Sequence, residues 1–350
     1  MKVPTYIGHH SDRGMRDYNE DRISACLIEI PVKDKPGRYW QAFNFSIYDG
    51  HGGSDVVEYI TAKLPEFVEN QSLDAGMDIA HKFRSEIGGY WRAWRSQIPK
   101  LDRKFAASTH DDLAKRLPLA YLAADLSIAG NNLRAGSTAT SAYIYSLSDA
   151  EHYWDGGPAV LTVAQVGDTR ALICDNMGNM RPLTTTHHPS SPHETERLTA
   201  FADAFVPVDG GDTRFLQYSN TRSFGDMRAK RFGLSAEPDI TTYLLGQQAG
   251  TSLPGTEAFL VLVTDGVTDV ASDQEIVDIV IQSSVNWGVR GTPQRAAEEV
   301  VNYAVDIGTS DNASAMVIRL GGWGKWEGWT DRSGEARSAN LMADRRMDKR

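Results

Sequence analysis

Apolar and polar positions in this chain change in short bursts. Residues 24–30, 41–48, 137–146, 160–165, 169–175, 259–264 and 313–320 are rich in β-branched and aromatic side chains and bounded by Gly, Asp or Asn, so they read as strands. Asp175-Asn176-Met177-Gly178-Asn179 follows one of them and predicts a hairpin turn. Elsewhere the period lengthens to that of a helix. Val56, Val57, Ile60, Leu64, Phe67 and Val68 form an apolar stripe behind Ser54, which is placed as an N-cap. Leu113, Leu117, Tyr121, Leu122 and Leu126 form a second stripe, with Pro118 starting or kinking its helix. Ser272-Asp273-Gln274-Glu275 has capping-box spacing, and Thr292-Pro293 opens a further helix with threonine as cap. These stripes read as core-facing. Strands in runs with helices in pairs between them predict an α+β layered domain, not a regular βαβ alternation.

With no internal repeat and no Pro- or Ser-rich linker, residues 1–320 read as one domain. Residues 76–110 carry Trp91, Trp94 and many charges and read as a helical insertion. Residues 321–350 form a tail whose Trp323, Trp326 and Trp329 are expected to fold back onto the body, with about fifteen mobile residues at the end.

Composition narrows the function classes. The chain has 350 residues, 41% hydrophobic and 23% charged, enough for a sizeable core. Its net charge of -10 argues against a nucleic-acid partner, which needs a basic face. The longest apolar run, 258–263, is far short of the roughly 18 residues of a membrane span. Cys26 and Cys174 lie in separate strands and read as buried thiols in a reducing compartment. With no secretory signal at the start, an intracellular location is expected: the cytoplasm, or the mitochondrial matrix if a targeting peptide has been removed. A monomer is favoured.

Part of the negative charge falls in a pattern. Asp49-Gly50-His51-Gly52-Gly53 stands after one strand and before a helix. Segments 16–21, 166–170, 264–269 and 310–314 likewise place Asp21, Asp168, Asp265 and Asp311 where a strand meets a loop. Taken singly, each aspartate is an ordinary turn residue. Together at one edge of a layered sheet fold they would repel unless a cation joined them, and an all-oxygen set suits Mg²⁺ or Mn²⁺ over zinc. Two cations sharing an aspartate would lower the pKa of bound water to near neutrality. Arg16 is a candidate fork for a phosphoryl group, with a surface ion pair to Asp12 or Asp17 as the plainer alternative. His51 is a candidate proton donor to a leaving oxygen, or an ordinary turn histidine.

At this point the chain resembles the metal-dependent serine/threonine phosphatases of the protein phosphatase 2C type. The likeness spans roughly residues 6–320 and is carried, in order, by Arg16-x-x-Asn19-Glu20-Asp21, Asp49-Gly50-His51-Gly52-Gly53, Gly136-Ser137-Thr138-Ala139, Val166-Gly167-Asp168-Thr169-Arg170, Thr221-Arg222-Ser223-Phe224-Gly225-Asp226, Ala236-Glu237-Pro238-Asp239, Asp265-Gly266-x-x-Asp269 and Asp311-Asn312. It implies a four-layer α-β-β-α sandwich of two antiparallel sheets flanked by helices. By the same likeness Asp49 bridges two Mg²⁺ or Mn²⁺ ions and the Gly50 carbonyl binds one of them. Asp265 and Asp311 ligate the other, while Glu20 and Asp21 act directly or through waters. Asp168 and Asp269, with Asp265, match a third and weaker metal position. Arg16 matches the phosphate-binding arginine and His51 the general acid. The implied reaction on phosphoserine and phosphothreonine of phosphoproteins is attack of a metal-bound hydroxide without a phosphoenzyme.

Gly136-Ser137-Thr138-Ala139 lacks the Gly-x-Ser-x-Gly elbow of a serine nucleophile and reads as the structural start of a strand. Where the family carries Asp-His-Lys-Pro, this chain has Thr186-His187-His188-Pro189, so a differently anchored loop is expected. His187, His188 and His193 are placed in an exposed loop, not in a zinc cluster. Residues 222–231 match a flap in which Arg228, Lys230 and Arg231 either meet substrate or form a solvated face. Two other functions stay open: a catalytically weak, phosphatase-like binding protein, and a hydrolase of small phosphoesters.

Overall fold

The strand pattern resolves into two sheets in a computed structural model that describes residues 3–31, 37–72, 75–87, 112–147, 152–208, 213–246, 256–288, 291–326 and 328–347. Thirteen strands are present among these residues: β1 (Ile7–Asp12), β2 (Arg22–Pro31), β3 (Tyr39–His51), β4 (Gly136–Ser146), β5 (Ala159–Val166), β6 (Arg170–Asp175), β7 (Met180–Pro182), β8 (Phe205–Pro207), β9 (Thr213–Phe215), β10 (Phe224–Gly225), β11 (Asp239–Leu245), β12 (Glu257–Val263) and β13 (Ala313–Arg319). One sheet runs β1-β13-β12-β6-β7, and the other runs β11-β5-β4-β3-β2 with β10 paired to β4. Their ladders are antiparallel, and β8-β9 is a separate hairpin.

Period-two alternation sorts side chains between three apolar layers. Phe45, Ile47, Ala142, Ile144, Leu260, Leu262, Met316 and Ile318 fill the space between the sheets. The opposite face of β3–β5 presents Tyr48, Ala139, Tyr143 and Ala164 to the helices Asp55–Asn70 and Asp112–Gly130. The opposite face of β12 and β13 presents Val261, Val263, Ala315 and Val317 to the helices Asp273–Trp287 and Pro293–Asp306. The result is the expected α-β-β-α order.

Several local expectations are refined. The capping box closes at Ser272 and Glu275, and Thr292 accepts from the Arg295 amide. Ser54 makes no side-chain cap; the Asp55 carboxylate instead accepts from Val56, Arg134 and Ala135 amides. Pro118 does not start its helix, which runs through it from Asp112. Leu113, Leu117, Tyr121 and Ala124 are all buried there, and that burial outweighs the roughly 3 kcal/mol a helical proline costs. Of the expected insertion, a short helix Gly76–Lys82 continues as a π-helical turn Phe83–Ile87; Trp91 and Trp94 lie outside the described residues.

The tail folds back as its tryptophans predict. Trp323 packs edge-on against Phe259 and Trp326, with ring centroids 6.0 and 5.6 Å away. Asp278, fully buried, accepts from the Trp329 indole, the Arg332 amide and the Ser333 hydroxyl. Residues of the expected mobile end instead form a helix, Gly334–Met347. Arg337 is its anchor, 7% exposed and bonded to Asp331 and Gln282. Composition alone made this charged stretch look loose; one clamped arginine and the buried carboxylate before it explain the difference. Replacement of Trp323 by alanine is therefore expected to destabilise the protein by about 3 kcal/mol in urea denaturation, as for other buried aromatics. A loss below about 0.5 kcal/mol would contradict the docked tail.

Candidate metal centre

Antiparallel pairing brings the ends of alternate strands to the same sheet edge, and that edge holds the aspartates. Asp49, Gly50 and His51 are the last residues of β3, in register with Thr138, Ser137 and Gly136 of β4. The strand thus continues through the motif that the sequence placed after it. Gly50 is there because a Cβ would stand 2.7 Å from the Glu20 carbonyl oxygen and 2.9 Å from Val57. Asp168 sits in the tight turn from β5 to β6 behind Gly167, whose φ is +97°. Asp265 opens the short helix Asp265–Thr268 at the end of β12, and Asp311 precedes β13.

Asp49, Asp168 and Asp265 converge: one carboxylate oxygen from each lies within 4.8 Å of the other two. Asp21, 5% exposed, accepts through Oδ2 from Thr264 and Ser314 hydroxyls at 2.9 and 2.7 Å. Among the described residues its Oδ1 is buried without a partner, and so is Asp168 Oδ1, whereas Asp168 Oδ2 accepts from Asn220 at 2.9 Å. Orphaned buried oxygens beside clustered carboxylates are the donor set a hard divalent cation requires. The residues present fit such an ion.

Electrostatics agree. Burial pushes the Asp49 carboxyl well above its ordinary range, and the charges of Asp265, Asp21, Asp168 and Asp311 push it further. Asp265 is raised likewise by burial, then by Asp168, Asp269, Asp311 and Asp21. Burial raises Asp21 to about 7, and raises Asp168 and Asp269. Without a cation these groups compete for protons.

Asn312 organises the near loop. Its Oδ1 accepts from the Glu20 amide at 2.8 Å, and its Nδ2 donates to the carbonyls of Arg13 and Tyr18 at 2.9 Å each. Glu20 in turn accepts from the Gly53 amide at 2.7 Å. Arg16 lies at the exposed rim; its ion pair is neither with Asp12 nor with Asp17 but with Asp311, at 2.6 Å. Its Nε donates to the Ser310 carbonyl. Asp269, exposed, follows one helical turn after Asp265.

His51 Nε2 lies 2.9 Å from Asp226 Oδ2. Burial lowers the imidazole pKa, but the hydrogen bond and charge of Asp226, then Asp168 and Glu20, raise it above its ordinary value. In the sequence Asp226 lies within a motif with no role marked for it, and no local pattern marks Asn220, Asn312, Thr264 or Ser314 as supports. A contact between residues 175 positions apart leaves no local pattern.

The histidine loop is corrected outright. His187 is 1% exposed, not in an exposed loop. Its Nδ1 accepts from the Gly167 amide at 3.0 Å and its Nε2 faces Asp239 at 3.0 Å, so the ring holds the turn that carries Asp168. Burial and then the Arg222 charge lower its pKa, keeping it neutral. Only His193 of the three is exposed. Lys230 also departs from its expected place: it is buried, 2.7 Å from Asp125, and neither solvated nor near an open face. Arg228 and Arg231 are exposed.

The raised carboxyls set a sign for pH dependence. A carboxyl whose pKa is higher folded than unfolded binds protons more tightly in the fold, so stability rises as pH falls through the folded value. His51, also raised, acts in the same direction, while neutral His187 opposes it only below about pH 6.5. In chelator, stability is expected to increase by about 2 kcal/mol from about pH 8.5 to about pH 6.5, read by denaturant melts. Saturating Mn²⁺ is expected to reverse the slope, since cations and protons compete for the same oxygens. A flat profile in chelator would contradict the clustered carboxylates.

Comparison with known proteins agrees with this geometry. The family profile described as Protein phosphatase 2C matches residues 10–313. Protein phosphatase 2C homolog 4 of Schizosaccharomyces pombe is 34% identical over 335 residues, covering 93% of this chain and 82% of that protein. A mitochondrial protein phosphatase 1K of Xenopus laevis is 27% identical over 321 residues, covering 91% and 69%. The crystal structure of serine-threonine phosphatase 2C from Toxoplasma gondii shares the fold, with a TM-score of 0.63 at 19% identity over 91% of this chain and 96% of that one. The layered fold, the ordered motifs and these matches together mean that the chain belongs to the protein phosphatase 2C family of metal-dependent protein serine/threonine phosphatases.

Proposed function

We propose that this protein hydrolyses phosphoserine and phosphothreonine esters of phosphoproteins at the carboxylate edge, with two Mg²⁺ or Mn²⁺ ions and a third, weaker metal position. The observation that carries the proposal is the convergence of Asp49, Asp168 and Asp265 beside the partnerless oxygens of Asp21 and Asp168. Asp49, the Gly50 carbonyl, Asp265, Asp311, Glu20 and Asp21 would hold the two principal ions, and Asp168 and Asp269, with Asp265, the third. Divalent cations, when bound there, supply Lewis acidity and a nucleophilic water at neutral pH.

The chain's own residues do the rest. Arg16 has its guanidinium on the rim, 58% exposed, where it would donate to a phosphate's oxygens as it now donates to Asp311 Oδ2. His51, at the end of β3, gives a proton to the departing seryl or threonyl oxygen. Ser137 is no nucleophile: it is fully buried, and its hydroxyl donates to the Thr138 carbonyl. Burial of Ser137 supports the reading of direct hydrolysis without a phosphoserine intermediate at that residue. No helix among the described residues is long and apolar enough to cross a membrane. Free Cys26 and Cys174 suit an intracellular location, cytoplasm or mitochondrial matrix.

Purified protein with Mn²⁺ is expected to dephosphorylate a phosphoserine peptide, and excess EDTA to abolish the activity. Asp49→Asn is expected to reduce kcat by about 10³-fold or more, the scale of losing metal-derived charge stabilisation. Full turnover in chelator would contradict the proposal. Arg16→Ala is expected to lower kcat/KM about 10- to 100-fold with Mn²⁺ binding retained in calorimetry. An unchanged kcat/KM would remove Arg16 from phosphate recognition.

A further inference from the structure

His51 does not stand alone at the edge. Its Nε2 faces Asp226 Oδ2 at 2.9 Å, and the same oxygen accepts the Ser223 hydroxyl at 2.6 Å. Asp226 is 6% exposed, while the imidazole side chain is 40% exposed. One end of the ring is thus tied to a buried carboxylate while the side chain as a whole stays part-exposed. Among the described residues no hydrogen-bond partner is found for Nδ1.

The surroundings are built for this pair. Gly136, opposite His51 on β4, leaves the space: a Cβ there would stand 2.2 Å from His51 Nε2 and 2.3 Å from Asp226 Oδ2. Asp226 adopts the left-handed region, φ 50° and ψ 40°, which costs a residue with a Cβ and persists only where its surroundings hold it. The holding groups are visible. Lys230 Nζ donates to the Ser223 carbonyl at 2.6 Å and pairs with Asp125 Oδ2 at 2.7 Å. Asp125 Oδ1 accepts from the Gly225 amide at 2.8 Å. Lysine and aspartate are both fully buried here, and a buried ion pair adds little net stability. Its effect is geometric: it pins the turn 223–226 against the helix Asp112–Gly130.

We propose that Asp226 is the positioning residue for His51, fixing the ring so that Nε2–H points to the carboxylate and Nδ1 faces the leaving oxygen. The inference rests on the phosphatase reading above. In that reaction the phosphorus–oxygen ester bond breaks and its electron pair stays on the seryl oxygen, which takes the proton of Nδ1. Water adds to phosphorus and gives up a proton, which restores the imidazolium. Asp226 itself neither gains nor loses a proton. Asn at position 226 can donate to Nε2 and hold the ring in the wrong tautomer.

The test compares a phosphoserine peptide, whose alkoxide needs a proton to leave, with p-nitrophenyl phosphate, whose leaving group does not. With Mn²⁺, Asp226→Asn is expected to reduce kcat on the peptide about 100-fold and on the aryl ester less than about 3-fold. His51→Gln should give the same split, and the double variant no further loss on the peptide. Metal binding by calorimetry should stay at the wild-type level. Equal losses on both substrates, additive losses in the double variant, or lost metal binding would overturn the assignment. If Asp226→Asn does not fold, Ser223→Ala, which leaves the carboxylate one partner fewer, should show a smaller split of the same sense; no split would overturn it. A wild-type protein inert to both substrates would overturn the phosphatase reading instead.

Discussion

Mutual repulsion among carboxylates is the constraint on which this structure depends. Two charges about 5 Å apart repel by about 3 kcal/mol at an effective dielectric constant near 20, and Asp49, Asp168 and Asp265 form three such pairs. Asp21 is pressed beside them and raised to about 7. A fold would not gather these groups at a buried edge for stability. A doubly charged cation held among them would turn the repulsion into ligation.

The two-sheet sandwich is what makes the gathering possible. Antiparallel strands return to one edge, so β3, β5, β12 and β13 deliver an aspartate each although the four lie from 49 to 311 in the chain. Support then comes from polar side chains in the layer behind. Asn312 ties the loop carrying Arg16 and Glu20, His187 ties the turn carrying Asp168, and Thr264 with Ser314 holds Asp21. Buried ion pairs act farther back. Glu194 lies between Arg222 and Arg197; burial would raise it, but its bond to His193 and those two guanidiniums hold it far below the usual carboxylate range. That cluster anchors the segment leading into Ser223 and Asp226.

Much of this was legible in the sequence. Stretches such as 259–263 and 160–165 declared themselves because both of their faces are buried, which leaves an uninterrupted apolar run. The weaker signals failed for physical reasons. β11 is half-buried along most of its length and carries Thr241 and Thr242, so it lacks both a run and a clean alternation. Asp49-Gly50-His51 read as a turn because its residue types favour turns, yet pairing with β4 keeps it in the strand. The clustered aspartates stand out in the sequence because strand ends and, at Asp49 and Asp265, Asp-Gly steps mark them locally. Their supports do not, because Asn312, His187 and Asp226 act on residues tens to hundreds of positions away. His187 and Lys230 show the same limit from the other side: charge and type suggested exposure, and buried partners reverse it.

The central claim is that this edge is a cation site and not merely a cluster of protonated acids. Anomalous X-ray scattering from crystals grown with Mn²⁺ tests it most directly. The account predicts two strong peaks at the sheet edge, both within ligand distance of the Asp49 carboxylate, one shared with the Gly50 carbonyl and one with Asp265 and Asp311. A map with no peak near Asp49, or with Mn²⁺ only at surface carboxylates elsewhere, would contradict it.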